Sequence, residues 1–429
     1  MGCPLFWVGT TSMRRVFTGC LAGLVMAAQS VFAQDTAATT QAQDGDLAQL
    51  KIIATYSDTN GEDSFLKGIR LATKQVNENG GVLGKSLILE TVPVQNAVDE
   101  SAQADEVDAA LRLAERISAE PDLFAIVGHS SSSFALPASS VYQNKELLFL
   151  TTNVTDGPIT NLQYDLVFML TPNNREQAAS MAKYALSEKL DTFIVLSDRS
   201  EFAQRLTSQF EEFLTVSGGT VEYQGLVQKT SPETSKQLLF LLDNNLFKTG
   251  EIDAIFIGSS SQNAMFDFIK QARGLGLDIP IFGPEALFSE AAIKEVGAEA
   301  MKDVIAVSLY EEDDTEDAVS DFVAQFQDEY GHKPDQESAI AFDAINLLAF
   351  GVNSSKSFDS KDLASFLSTM RYRSKFSGAT GTIAFDRFGR IVDTKIYVVR
   401  YDGDEFRTVA TQELPLDYET IGPIQNIQP

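Results

Sequence analysis

Apolar residues recur along this chain in two alternating rhythms. Residues 50–55, 87–92, 123–127, 147–150, 166–170, 192–196, 220–227, 252–257, 279–282 and 304–309 form short apolar runs between polar turns, as strands buried in a parallel sheet do. Between them the period lengthens. Phe65, Ile69, Ala72 and Val76 repeat at helical spacing and stop at Asn79-Gly80-Gly81, a helix end with glycine in the left-handed position. Helices are expected near 102–117, 175–187, 202–216, 235–247 and 263–273, and a mostly apolar one over 338–350. Val319, Phe322, Val323, Phe326 and Tyr330 mark one more helical face. Late in the chain, Thr382–Phe385 and Ile396–Arg400 read as strands paired around Asp386-Arg387-Phe388-Gly389.

Strand and helix alternate with short connections, which predicts an α/β fold with parallel sheets covered on both faces. The units are too many for one sheet of ordinary size, so two Rossmann-like lobes are expected. In such sheets ligands bind beyond the carboxyl ends of the strands. One stretch stands out there: Phe124-Ala125-Ile126-Val127-Gly128-His129 runs into Ser130-Ser131-Ser132-Ser133. A buried strand turns into a helix start rich in hydroxyls, where unpartnered N–H groups and the helix dipole favour a carboxylate or phosphate. One serine suffices to cap a helix, so four point to a ligand.

Charge narrows the partners. Lysine and arginine number 33 against 60 acids, a net charge of −27, which argues against nucleic acid and anionic membranes. The N-terminus reads as a secretory signal: Met13-Arg14-Arg15, an apolar stretch from Val16 to Ala28, then Val31-Phe32-Ala33 before a cleavage site. Residues 1–33 are thus expected to be removed and 34–49 to form a polar leader, with Met13 an alternative start to Met1. Cys3 and Cys20 fall in the signal, which leaves the exported chain without a disulfide. Phe17-Thr18-Gly19-Cys20 has the shape of a lipoprotein box but follows Arg15 too closely. No metal or cofactor is expected, since two distant histidines and the run Glu311-Glu312-Asp313-Asp314 make no ligand set.

Several motifs in order carry a family resemblance: Val76-Asn77-Glu78-Asn79-Gly80-Gly81-Val82-Leu83-Gly84-Lys85, Ile126-Val127-Gly128-His129 with its serines, Phe282-Gly283-Pro284-Glu285, Ala341-Phe342-Asp343-Ala344-Ile345 and Phe385-Asp386-Arg387-Phe388-Gly389. Over residues 50–403 the chain resembles the type I periplasmic solute-binding proteins, in particular the branched-chain amino-acid group of ABC importers. The resemblance implies two lobes joined by three crossovers near residues 172, 309 and 380. Lobe one would hold 50–172 and 310–380, and lobe two 173–309 and 381–429. It also implies a monomer that closes on a small amino acid or related carboxylate and delivers it to a membrane permease. Site residues follow by position. Ser132, with N–H groups near Ser131, would bind the ligand carboxylate. Thr155 and the carbonyl of Val154 would hold the amino-acid head, and Glu285 would pair with its ammonium. Asn174 stands where the family has an aspartate, and Ser259-Ser260-Ser261-Gln262 where amino-acid binders carry tyrosine, which implies a more polar pocket.

Two rival readings come from other classes. Gly128-His129-Ser130-Ser131-Ser132 approaches the Gly-x-Ser-x-Gly elbow of serine hydrolases, with Ser130 as nucleophile and His332 as base. It lacks the closing glycine. The other rival is a sensor or envelope-enzyme regulator of the same fold, whose partner is a protein.

Overall fold

The computed structural model describes residues 49–56, 64–94, 106–129, 131–155, 157–228, 230–243, 252–314 and 316–414. The signal segment, the leader up to residue 48 and Ser130 lie outside them.

Five parallel strands form the first sheet: β1 (Leu50–Tyr56), β2 (Leu87–Pro93), β3 (Leu123–Gly128), β4 (Leu148–Thr151) and β5 (Val167–Met169), in the order β2-β1-β3-β4-β5. The chain then builds a second sheet from β6 (Thr192–Ser197), β7 (Thr220–Leu226), β8 (Ala254–Gly258), β9 (Ile281–Phe282) and β10 (Val304–Ser308), again parallel. Helices intervene, among them Ser64–Glu78, Ser132–Asn144, Asn174–Ser187, Glu201–Val216 and Gln262–Gly274. This is the doubled α/β architecture that the alternating rhythm predicts.

After β10 the helices Asp317–Tyr330, Gln336–Ser355 and Ser360–Leu367 return to the first sheet. The face Phe65, Ile69, Ala72 and Val76 is buried, and it packs in one cluster with Ile340, Ala344 and Ile345. Burying a large apolar side chain contributes roughly 1.5–3 kcal/mol, so this seam is a main anchor of the late helices. Gly68 allows the close crossing, since a Cβ there would stand 2.0 Å from the carbonyl oxygen of Ser338.

The late strands pair differently from expectation. β12 (Gly381–Phe385) lies between β11 (Phe376–Gly378) and β13 (Ile391–Val392) in a small antiparallel sheet, not against Ile396–Arg400. β14 (Lys395–Tyr401) instead runs antiparallel to β10 and to β15 (Phe406–Glu413), extending the second sheet to the order β15-β14-β10-β9-β8-β6-β7. The reason is local. Asp386 accepts from the N–H groups of Phe388 at 2.8 Å and Arg390 at 3.1 Å, closing a turn that pairs 385 with 391. The hairpin also touches β5, where the Met169 N–H donates to the Gly389 carbonyl at 2.8 Å. The resemblance puts the third passage between lobes near residue 380; the strands enter the second sheet at Lys395.

Candidate functional site

β3 and β4 lie side by side in register, Gly128 opposite Thr151, so the loops after them emerge together. Gly128 has φ +124°, and a Cβ there would stand 2.3 Å from the Thr55 carbonyl oxygen. Only glycine fits this close approach. The next residue, His129, is fully buried. Its Nε2 meets the Tyr142 hydroxyl at 3.0 Å, and its ring lies stacked on Tyr142 and edge-on to Phe149. Burial pushes the imidazole down to about 3, so it is neutral at physiological pH.

Ser131 occupies the cap position of the helix Ser132–Asn144 but accepts no capping hydrogen bond. Its hydroxyl lies 3.1 Å from that of Ser133. Ser131 and Ser132 are half-buried. The serine run therefore does not serve as the helix cap. It leaves hydroxyls and the first helical N–H groups at the carboxyl end of the sheet, which suits an anion.

The loop after β4 carries Val154 and Thr155, both buried. The Val154 carbonyl accepts from the Thr171 hydroxyl, and the Thr155 carbonyl accepts from the Asn174 N–H at 2.7 Å. The structure thus brings Thr155 and Asn174 together at the first passage between the sheets. Asn173 and Glu176 form a capping box there, which fixes where the helix Asn174–Ser187 begins. Asn174 is 2 % exposed, yet both polar atoms of its side chain lack a partner. Thr55 Oγ1 and Thr151 Oγ1, at the ends of β1 and β4, are also buried without partners. Neither threonine belongs to a motif; strand-end position is the signal that marks them.

In the second sheet, β6 pairs with β8, Ser197 opposite Gly258, and β8 with β9. Asp198 follows β6 and binds the first two serines of the loop after β8. It accepts from the Ser259 hydroxyl at 2.7 Å, the Ser260 N–H at 2.8 Å and the Ser200 N–H at 2.8 Å. Burial works to raise its carboxyl, but these donors outweigh it and hold the pKa below the ordinary aspartate value. Ser261 is exposed and caps the helix Gln262–Gly274, accepting from the Ala264 N–H at 3.3 Å.

Glu285 opens a short turn of 3-10 helix after β9. Its Oε2 is buried with no hydrogen-bond partner. Burial raises its carboxyl above the ordinary glutamate value, and its own N–H only partly opposes the shift. Among the described hydrogen bonds and ion pairs, none joins Glu285 to Ser131, Ser132 or Thr155. The structure sets them at the carboxyl ends of two different sheets.

His332 is exposed. Its Nδ1 meets the Lys333 carbonyl at 2.8 Å and its Nε2 the Lys67 ammonium at 3.1 Å. It bonds to no described serine. In the acidic run, Asp314 is held by Lys395 at 2.7 Å and the Tyr397 hydroxyl at 2.7 Å, and Glu312 by Lys333 at 2.6 Å. Among the described residues no helix is long and apolar enough to cross a membrane.

Two parallel sheets with hydroxyls at the end of one and a buried acid at the end of the other describe a two-lobed binding protein. The profile of the periplasmic binding protein family matches residues 55–405, and the chain belongs to that family. It is 25 % identical over 346 residues to the leucine-, isoleucine-, valine-, threonine-, and alanine-binding protein of Pseudomonas aeruginosa, covering 80 % of this chain and 86 % of that one. A leucine-binding protein from Thermotoga maritima shares the fold at TM-score 0.73 and 22 % identity, over 85 % of this chain and 99 % of the other. A solute-binding protein from Rhodopseudomonas palustris, solved with 3,4-dihydroxybenzoic acid, aligns at TM-score 0.70 and 19 % identity, over 85 % and 97 %. Members of the family are binding proteins.

Proposed function

We propose that this chain is the substrate-binding protein of an ABC importer, exported to the periplasm by residues 1–33. It captures a small amino acid or related carboxylate between two lobes. Residues 50–172 and 310–380 form the first lobe and 173–309 with 381–429 the second, and closure turns on the three passages between the sheets. Ser131 and Ser132 receive the ligand carboxylate, Val154 and Thr155 hold its head, and Glu285 pairs with its ammonium. Asn174 and Ser261 give the pocket a polar wall. The relative from Pseudomonas aeruginosa, by its name a binder of aliphatic amino acids and threonine, supports an amino-acid head. The protein acts as a monomer and hands its ligand to a membrane permease.

One observation carries this reading: the buried Oε2 of Glu285 has no hydrogen-bond partner among the described residues. A buried carboxylate without a cation is costly, and an ammonium supplied by the ligand removes that cost. The test is the melting temperature of the exported chain with amino acids, amides and short carboxylates at millimolar concentration. A ligand present at a hundred times its dissociation constant stabilises the folded state by about 2.7 kcal/mol. Glu285→Gln then weakens an amino-acid ligand by about 1.5–3 kcal/mol. Stabilisation by carboxylates that lack an amine, unchanged in Glu285→Gln, overturns the ammonium pairing.

A further inference from the structure

We infer that a pocket between three helices and β11 binds a small organic cation, a primary ammonium carried on an apolar body. The pocket has a volume of about 260 Å³ and shares no residue with the proposed amino-acid site. Its walls come from one face of the helix Asp317–Tyr330, from the helix Gln336–Ser355, from Gln75 of the helix Ser64–Glu78, and from residues 376–379.

Three aromatic side chains, Phe322, Phe342 and Phe376, supply the apolar lining. The rings of Phe322 and Phe342 lie 4.7 Å apart, centroid to centroid. The floor is fixed. Asp343 accepts from the Ala379 N–H at 2.6 Å and the Thr380 N–H at 2.8 Å, and a Cβ at Gly378 would stand 2.4 Å from its Oδ1. At the rim Gln75 donates to Gln325 at 2.6 Å, which ties two of the helices together. The cavity is thus formed before anything enters it, which spares a ligand the cost of ordering it.

The polar lining selects a positive charge. None of the lining residues is lysine, arginine or histidine, and one, Asp321, is an acid. No described base or hydrogen-bond donor holds the Asp321 carboxylate, whereas Glu329 on the same helix pairs with Lys74 at 2.7 Å. Asn346 uses its Nδ2 on the Phe342 carbonyl at 3.1 Å, which leaves its Oδ1 an acceptor without a described donor. The pocket therefore offers a negative charge, an amide oxygen and aromatic rings. An ammonium uses all three, since it carries three donors and is attracted to aromatic faces. A carboxylate there would meet Asp321 with no base to balance it, so the amino acids proposed for the cleft are poor occupants and amines without a carboxylate good ones. About 260 Å³ is the space of about nine liquid waters at about 30 Å³ each, room for an amine with one ring.

The experiment titrates the exported chain at pH 7 with benzylamine, protonated there, and with benzyl alcohol, its neutral counterpart, by calorimetry at one ionic strength. The expected result is binding of the amine at millimolar concentration, with the alcohol about tenfold weaker. Asp321→Asn, at an exposed position, weakens the amine about tenfold, the loss of one charged hydrogen bond. Ser377→Phe, also at an exposed position of the lining, fills the pocket without altering its charge and removes binding. No binding of the amine, equal binding of the alcohol, or amine binding unchanged in either variant overturns the site. Amine binding lost in Glu285→Gln and kept in Asp321→Asn puts the amine in the cleft and overturns it too.

Discussion

Two serine-rich loops stand at equivalent places in the two sheets, each leading from a parallel strand into a helix, and they are held in opposite ways. In the second sheet Asp198 gathers Ser259, Ser260 and Ser200, while Ser261 caps its helix. These serines serve the structure. In the first sheet the anchor is His129 packed on Tyr142, below the loop, and the serines above it make no cap. The same residue type in the same setting is committed in one loop and available in the other. A serine run therefore speaks for a ligand only when something else holds the loop. The two anchors differ in chemistry, a neutral imidazole and a charged carboxylate, so acid separates them.

The largest effect is expected at His129. The unfolded imidazole takes a proton near pH 6.5 and the folded one only near 3. Between those values the unfolded state binds more protons, so this residue withdraws stability as pH falls, about 1.4 kcal/mol for each pH unit. Glu176, pushed up to about 7, and Asp343, pushed up to about 6, both by burial, act in the opposite sense, each stabilising as pH falls through its raised folded value. The readout is therefore the difference between the wild type and His129→Gln in denaturant titrations from pH 7 to pH 4. The gap between them should narrow as pH falls. A gap independent of pH removes the buried-histidine account of the first loop.

Asp198 comes next. Asp198→Ala strands the Ser259 hydroxyl and the Ser260 N–H, and a loss of about 2–4 kcal/mol is expected from hydrogen bonds to a charged group. Asp198→Asn keeps part of the acceptor capacity and should fall between. Its folded pKa is lowered, so its stabilisation is full above the unfolded value of 3.8 and fades only below it. The first loop should thus weaken in acid before the second. Denaturant midpoints of both variants at pH 7 and pH 4 check this, and a loss below about 0.5 kcal/mol for Asp198→Ala would show that the loop holds without its carboxylate.

Much of the fold was legible because its signals are local. The face of Phe65, Ile69, Ala72 and Val76 and the unbroken strand runs follow from period alone. The pairing of β12 was not, because Ile396–Arg400 suits either partner in sequence and the choice rests on the Asp386 turn and on β10. Most motifs of the family resemblance prove to be framework. Asn77 bonds both backbone groups of Leu87, at 2.7 and 2.9 Å. Asp343 accepts from the N–H groups of Ala379 and Thr380, at 2.6 and 2.8 Å. The candidate site was legible at the helix start after β3 and, through the Gly-Pro-Glu turn, at Glu285. Thr55 and Thr151 escaped notice because an unpartnered hydroxyl is a property of packing and leaves no trace in spacing.

The smallest effects test the contrast most directly, by removing one hydroxyl at a time. Ser261→Ala deletes a cap at an exposed helix start and should cost about 0.5–1 kcal/mol of stability, and should lower affinity, through the polar wall of the pocket, by less than it lowers stability. Ser131→Ala removes a hydroxyl that caps nothing, so stability should stay within about 0.5 kcal/mol of wild type. Its effect, and that of Ser132→Ala, should appear in affinity instead, about 1 kcal/mol for each neutral hydrogen bond to the ligand carboxylate. Denaturant midpoints and ligand titrations on the three variants measure both quantities. If Ser131→Ala and Ser132→Ala lower stability as Ser261→Ala does and leave affinity unchanged, the first loop is held by its serines after all, and the two loops differ only in what anchors them from below.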